Sequence, residues 1–391
     1  MELLIRSRLA NFIDKNRCTL LGVGPMSVNC VDVAIDLANE YSVPIMLIAS
    51  RRQIDSDEFG GGYVNNWSTE EFVRYVQSKD KKGQIIPARD HGGPWQNTQE
   101  VEQNLGLRKA MDSAKLSFAE DIRAGMQVIH IDPSIDIHGQ PDLEEVLFRL
   151  YELYDFCCGE ALRSQKDLTF EIGTEEQSGG TNTEEELTYL LEKLTDFCAK
   201  NKYQFPTFVV VQSGTKVMEM RNVGSFDVPL RIENELPAEI QIPKMVRLCD
   251  RFGIFMKEHN TDYLSDEALR WHPRLGIHAS NVAPEFGVAE TRALIKLAAD
   301  NGKSSWVNRF VELSLASKKW QKWMLSETTA SDLDKATIAG HYIFSTMEFK
   351  ELKSELEVDL KRKTLDVDDF LRQSVRTAMM RYLINFGLVS R

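Results

Sequence analysis

An adjacent acid and imidazole, Asp90-His91, are the residues of this sequence best suited to chemistry. A neutral imidazole can bind a divalent metal through one ring nitrogen, and a neighbouring carboxylate can move a substrate proton. A second histidine, His259, and an acid, Glu175, each follow a short apolar run elsewhere in the chain. Two imidazoles and a carboxylate suit zinc or a neighbouring divalent metal. We therefore expect His91, Glu175 and His259 to be ligands and Asp90 to exchange protons.

Other polar residues also end apolar runs or directly follow them, and we assign them supporting roles. We expect Asp132 and Asp262 to act as further acid–base groups. The residues expected to bind substrate are Arg89, Gln212, Asn281, Gly179 and Gly180, the two glycines through backbone N–H groups that could face an anion. A glycine run at 60–62 offers the same possibility.

Side-chain alternation along a strand predicts the orientation of three basic residues that lie within apolar runs. His130 and His278 are expected to point outward, into the layer between strands and helices, and to be structural. Lys257 is expected to point outward as well. If Lys257 faced the site instead, a Schiff base on its amine would be the rival to metal chemistry.

These side chains can meet only if the apolar runs are parallel strands whose carboxyl ends share one face. Eight short runs alternate with longer amphipathic stretches, at 19–23, 44–49, 84–88, 127–131, 168–172, 207–211, 254–256 and 277–282. Each run is almost continuously hydrophobic, as is typical of a strand buried on both faces. Eight strand–helix units in series predict a (β/α)₈ TIM barrel, an α/β fold whose chemistry sits at the carboxyl ends of the strands.

A doubly wound sheet with a dinucleotide site is the alternative fold. The segment 22–27, Gly-Val-Gly-Pro-Met-Ser, resembles its phosphate loop, but it lacks the third glycine and no acid closes the second strand. After about Lys303 the sequence shows helical patterns only. We therefore predict a barrel over 1–302 and an all-helical C-terminal extension over 303–391 that packs on it.

The charge balance limits the classes of partner. The chain has 391 residues, with 47 basic and 59 acidic side chains and a net charge of −12, which argues against a nucleic-acid or anionic membrane surface. Six cysteines without a CxxC pair indicate reduced thiols. The N-terminal segment lacks the apolar core of a signal peptide, and no apolar run has the ~18 residues of a spanning helix. We expect a cytoplasmic protein.

Several segments together make the sequence similar to a known family. They are GGYV at 61–64, STEEF at 68–72, DHGGP at 90–94, IHID at 129–132, IGTE at 172–175, VVQSG at 210–214 and EHNTDY at 258–263. In this order they resemble the Z-type, non-catalytic subunit family of class II D-tagatose-1,6-bisphosphate aldolase. That family looks like a relative of the zinc-dependent class II ketose-bisphosphate aldolases, which are TIM barrels.

The resemblance implies roles for three positions. Asp90 and His91 match the proton-transfer acid and zinc ligand that follow the third strand in those aldolases, and His259 matches a ligand after the seventh. The family's further histidine ligand follows the sixth strand, where this sequence has Gln212 and no histidine. The phosphate loop after the seventh-strand histidine is replaced here by Asn-Thr-Asp at 260–262.

Two functions remain open at this point. The first is a metal-dependent lyase or epimerase that cleaves or epimerises a ketose or ketose phosphate through an enediolate. The second is a non-catalytic partner that stabilises a catalytic aldolase subunit, as the family's name implies. A homo-oligomer is compatible with both. The retained acids and histidines favour the enzyme, because burying them without compensation would be costly.

Overall fold

The predicted strands form a closed, all-parallel barrel in the computed structural model, which describes residues 4–173, 183–228, 236–361 and 364–390. The barrel strands are β1 Leu20–Val23, β2 Ile45–Ser50, β3 Ile85–Gly92, β4 Val128–Ile131, β5 Thr169–Ile172, β6 Phe208–Val210, β7 Phe255–Glu258 and β8 Ala279–Val282. Consecutive strands are neighbours around the ring, and β1 closes it by pairing with β8. The TIM-barrel prediction is therefore confirmed.

Helices alternate with the strands on the outside of the barrel. They are α1 Leu4–Asn16, α2 Val28–Tyr41, α3 Thr69–Lys79, α4 Thr98–Glu102, α5 Leu107–Ala124, α6 Leu143–Ser164, α7 Glu184–Asn201, α8 Ala238–Phe252, α9 Asp266–Leu275 and α10 Pro284–Asp300. Three of these helices start with capping boxes, Ser68 with Glu71, Asp142 with Glu145 and Thr183 with Glu186. Each box satisfies backbone N–H groups that a helix start leaves without partners.

The first helix closes the end of the barrel opposite the strand carboxyl ends. Its Arg6 guanidinium donates to the carbonyl oxygens of Phe205 at 2.7 Å and Gly253 at 2.6 Å, which directly precede β6 and β7. Ile5 and Leu9 are buried against the barrel core. The helix thus covers the end of the barrel at which β6 and β7 begin.

The C-terminal part is helical, as predicted. It comprises α11 Ser304–Ala316, α12 Asp332–Ala339, α13 Met347–Lys361 and α14 Val367–Asn385. Met379 and Leu383 of α14 join the main core of the barrel, whereas Phe310 and Leu352 pack with α10 residues in a second apolar cluster. The division at residue 302 stays a prediction. No helix in the described part of the chain is both long and apolar enough to cross a membrane.

Candidate metal and proton-transfer site

Three imidazoles meet at the carboxyl ends of the strands. The Nε2 atom of His91 lies 3.2 Å from Nδ1 of His259, with ring centroids 4.9 Å apart. The ring of His130 lies 5.2 Å from each of these rings. The structure thus brings together the two histidines that we expected to converge, and adds a third that we expected to point away.

His91 is held by the irregular carboxyl end of β3 and by the loop that follows it. The β3–β4 pairing shifts register between Arg89 and Gly92, and His91 has a left-handed φ of 46°. Its backbone N–H donates to Nδ1 of His130 at 3.1 Å. A Cβ on Gly93 would lie 2.1 Å from the carbonyl oxygen of Asp132, so only glycine lets this loop approach β4 so closely. The loop fixes the position of the His91 ring.

Asp132 orients His91. Its Oδ2 atom lies 2.6 Å from Nδ1 of His91 and accepts from Gln96 Nε2 at 3.3 Å, while Oδ1 accepts the backbone N–H and hydroxyl of Ser134. Burial raises the pKa of Asp132, but the hydrogen bonds from His91 and Ser134 and the charges of His91 and His130 together outweigh burial and lower the pKa to about 2. Asp132 therefore fits a fixed carboxylate behind a ligand better than the acid–base group we expected.

Glu171 and His130 are site residues that the sequence analysis missed. They are register partners on β5 and β4, and each is 1% exposed. Glu171 Oε1 lies 2.8 Å from His259 Nε2 and 3.6 Å from His130 Nδ1. The outward orientation expected for His130 is wrong, because its ring faces side chains from β3, β5 and β7. An ionisable residue inside an apolar strand was the available signal, since such a residue needs polar partners.

Lys257 also points inward, contrary to expectation. Its Nζ atom lies 2.5 Å from Glu171 Oε2, and both side chains are 1% exposed. Burial raises the pKa of Glu171, but Lys257, His130 and His259 together outweigh burial and lower the pKa to about 2. Glu171 therefore stays ionised between the ammonium of Lys257 and the ring of His259. The amine that a Schiff base would need is thus already paired with Glu171.

Asp90 and Asn281 complete the rim of the cluster. Asn281 Nδ2 donates to Asp90 Oδ1 at 3.1 Å, and the same oxygen lies 3.8 Å from His130 Nδ1 and 3.9 Å from His259 Nε2. The side chain of Asp90 is 12% exposed and that of His91 34%, so these two residues face the solvent. Within the described residues, Oδ1 of Asn281 and Nε2 of His130 are buried without a hydrogen-bond partner.

The donor atoms suit a divalent cation. Ligand atoms of His91, His130 and His259 lie within 4.8 Å of one another, as do those of Asp90, His130, Glu171 and His259. Two nitrogens bound to one tetrahedral metal at about 2.0–2.1 Å would lie about 3.3 Å apart. The 3.2 Å between Nε2 of His91 and Nδ1 of His259 is close to that spacing.

Arg89 does not face this site, which corrects its expected role. Its guanidinium binds both carboxylate oxygens of Asp121, at 2.7 Å and 2.5 Å. It also donates to the carbonyl oxygens of Ala49 and Ile54 and to Thr69 Oγ1. These contacts lie between the barrel and its helices and use all five N–H groups of the guanidinium. No donor is left for a substrate.

The remaining predicted residues lie elsewhere. Glu175, Gly179 and Gly180 are outside the described residues, so their roles stay predictions. Gln212 is half-buried and comes two residues after β6, at the same end of the barrel as the imidazoles. Asp262 binds the start of α10, where its Oδ1 accepts the N–H groups of Ala283 at 3.0 Å and Glu285 at 2.8 Å. That position gives Asp262 a structural contact in place of the expected catalytic one.

Substituting Asp262 should change how stability depends on pH. Burial, together with the neighbouring Glu285 carboxylate, raises the pKa of Asp262 from 3.8 to about 8. The folded chain then keeps a proton that the unfolded chain releases, so stability falls as pH rises from about 4 to about 8. Asp262→Asn keeps an oxygen for both N–H groups and removes this titration. Asp262 lowers the free energy of unfolding by up to about 1.4 kcal/mol per pH unit over this range, and we expect this contribution to disappear in the variant.

Chemical denaturation of wild type and Asp262→Asn at about pH 5.5 and about pH 7.5 measures the effect. Asp36→Asn, which changes an exposed acid on α2, is the control. An equal pH dependence in all three proteins would show that Asp262 is ionised in the folded chain.

The comparisons with known proteins establish the fold. No family model matches the sequence, and no curated protein matches it either. The chain is similar to the solved structure of a probable tagatose 6 phosphate kinase from Sinorhizobium meliloti 1021, with 17% identity, a TM-score of 0.73, and coverage of 94% of this chain and 100% of that one.

Two further solved structures are similar at lower TM-scores. A fructose-bisphosphate aldolase from Campylobacter jejuni has 10% identity and a TM-score of 0.56, over 98% of this chain and 94% of that one. A fructuronate-tagaturonate epimerase from Cohnella laeviribosi has 12% identity and a TM-score of 0.57, over 95% of this chain and 82% of that one. The fold and the site together define a TIM barrel with a candidate metal centre at the carboxyl ends of its strands.

Proposed function

We propose that this protein is a metal-dependent enzyme of the class II aldolase type. Its substrate is a ketose or ketose phosphate, and its reaction is carbon–carbon cleavage or epimerisation through an enediolate. One observation carries the proposal: the facing nitrogens of His91 and His259 are 3.2 Å apart, and the other nitrogen of each ring contacts a buried carboxylate. The names of the similar structures, an aldolase and a sugar epimerase, support this reaction class.

The hydrogen-bond partners assign the tautomers of the two rings. Nδ1–H of His91 donates to Asp132, and Nε2–H of His259 donates to Glu171. The lone pairs of the two remaining nitrogens then face each other, so a cation must lie between them. In the metal-free protein this cation can be a proton on His91. Asp90 and Asp132 outweigh burial and raise the pKa of His91 to about 9. Carboxylates behind both imidazoles are the usual support of metal-binding histidines.

His91 and His259 would hold the metal, which we propose to be zinc, with Glu175 kept as the proposed third ligand. A divalent metal at this position supplies positive charge that stabilises the negative charge of an enediolate. Asp90, fixed by the amide of Asn281, accepts the proton of a substrate hydroxyl and returns it. His130 helps to position His91, because its Nδ1 accepts the backbone N–H of His91.

The test is turnover of ketoses and ketose phosphates by the full chain before and after chelation. We expect activity to be lost on chelation and restored by Zn²⁺ or Mn²⁺. Two smaller fragments would identify cleavage, and one isomeric product would identify epimerisation. His259→Ala should fail to recover with added metal, whereas His138→Ala, which changes an exposed loop histidine, should behave like wild type.

Other results would contradict the proposal. Activity that survives chelation, with substrate trapped by borohydride on Lys257, would establish the Schiff-base route. No turnover by the metal-loaded protein, together with stabilisation of a separate aldolase chain, would establish a non-catalytic subunit.

A further inference from the structure

A second cavity lies between the barrel and the helical extension. Its volume is about 550 Å³, within the range of small-molecule pockets. Its walls come from the loop after β2, the loop after β3 and the extension, and none of the three imidazoles lines it. Arg51 stands between the cavity and the β3 loop, where its Nη1 donates to the carbonyl oxygen of Gly93 at 3.0 Å. The cavity is therefore separate from the site described above.

Three cations line this cavity without a carboxylate partner. Arg52, Lys319 and Lys322 form no ion pair in the described part of the chain, although the chain as a whole carries a net charge of −12. The fourth cation, Arg51, differs because its guanidinium binds the carboxylates of Asp55 and Glu100. All three side chains are exposed, so their charged groups are accessible to a ligand. An anion in the cavity would compensate all three charges.

Aromatic rings form the other walls. Tyr63 and Tyr342 contact each other with centroids 4.7 Å apart, and Phe59 lines the opposite loop. Lys322 Nζ lies 5.2 Å from the centroid of the Tyr342 ring, which holds the ammonium close to the cavity. Ring faces suit the C–H surface of a small organic skeleton. The cavity thus combines a cationic part with an apolar part.

The glycine run at 60–62 does not supply the anion contacts that the sequence suggested. The N–H groups of Gly60, Gly61 and Gly62 donate to the carbonyl oxygens of Asp57, Ser56 and Trp67. These three N–H groups are therefore not available to an anion in the cavity. Lys319 and Lys322 belong to the extension and Arg52 to the barrel, so a bound anion would connect the two parts of the chain.

We propose that this cavity binds the phosphate monoester of a small organic compound. A doubly charged phosphate group can take hydrogen bonds from Arg52, Lys319 and Lys322 at once, and its organic part can lie against Tyr63 and Tyr342. A neutral sugar offers these cations no counter-charge. The proposal does not depend on the metal centre. It gives the helical extension a function, because the extension forms one wall of the binding site.

The test is calorimetric titration of the metal-free full chain with inorganic phosphate and with a sugar phosphate. We expect both to bind, the sugar phosphate more tightly, and affinity to fall as salt is added. A neutral sugar of the same size should show no binding. Lys319→Gln with Lys322→Gln should weaken phosphate binding by at least about tenfold, the effect of losing one charge-assisted hydrogen bond. Arg52→Gln should have an effect of similar size.

The matched control is Lys350→Gln with Lys361→Gln, which removes the same charge from exposed positions of α13. This control should bind phosphate like wild type. The proposal is wrong if wild type does not bind phosphate, or if the pocket and control variants bind equally well. Circular dichroism of each variant excludes unfolding as the cause of a loss.

Discussion

Asp90→Asn is expected to lower turnover by about 10²–10⁴-fold while the protein keeps its metal, since acid–base groups typically contribute that much. An amide cannot accept the proton of a substrate hydroxyl, whereas His91 and His259 remain available as ligands. The substitution is nearly isosteric, so the position beside Asn281 stays filled. Steady-state kinetics with the substrate found above, together with metal analysis of the same sample, measures both effects.

The control for Asp90→Asn is Asp36→Asn, which removes the same charge from an exposed position on α2. It should retain full activity and full metal content. Unchanged turnover in Asp90→Asn would show that Asp90 takes no part in the chemistry. Loss of metal from Asp90→Asn would make Asp90 a ligand, as the distance of 4.0 Å between its Oδ2 and Nε2 of His91 also permits.

Arg89→Met is expected to lower the free energy of unfolding by about 3–5 kcal/mol, because it leaves a buried charge without its partner. Arg89 and Asp121 are both 0% exposed in their side chains, and the pair connects β3 with α5. Arg89 has no contact with the imidazole cluster, so the folded fraction of the variant should bind metal normally. Urea denaturation with and without metal separates the two properties.

A double substitution, Arg89→Met with Asp121→Asn, should recover part of this loss, because no uncompensated charge remains. The control is Arg74→Met, which breaks an exposed pair with Glu70 and should cost less than about 1 kcal/mol. Normal stability in Arg89→Met combined with weaker substrate binding would restore the substrate-binding role that the sequence suggested.

The barrel could be predicted because its strands are almost uniformly hydrophobic and alternate along the chain with amphipathic stretches long enough to form helices. Eight such runs fit few folds. The pairing of Asp90 with His91, and the approach of His259 to them, followed from the rule that parallel strands present their carboxyl ends at one face. The position of each residue along its strand was enough for these expectations.

Side-chain direction could not be predicted in the same way. A strand buried on both faces has no hydrophobic alternation to show which residues face the barrel interior. His130, Glu171 and Lys257 point inward and Arg89 outward, and each is paired within the protein. Neighbouring residues of a strand point to opposite faces, so an error of one position reverses the expected direction of a side chain. The expected directions of His130, Lys257 and Arg89 were therefore wrong.

The hydrogen-bond partners of Asp132 and Asp262, the two acids in loops, could not be predicted from the sequence either. Asp132 and Asp262 both follow strands, yet Asp132 binds a ring nitrogen of His91 and Asp262 binds backbone N–H groups at the start of α10. Only the path of the loops distinguishes these two environments.

Anomalous X-ray diffraction from crystals of the zinc-loaded full chain, recorded on both sides of the zinc absorption edge, tests the central claim most directly. We predict one strong anomalous peak per chain, bonded to Nε2 of His91 and Nδ1 of His259 at about 2.0–2.1 Å. The same measurement on His91→Ala should show no peak there. A zinc-loaded wild-type crystal with His91 and His259 still in direct contact, and no peak between them, would contradict the account.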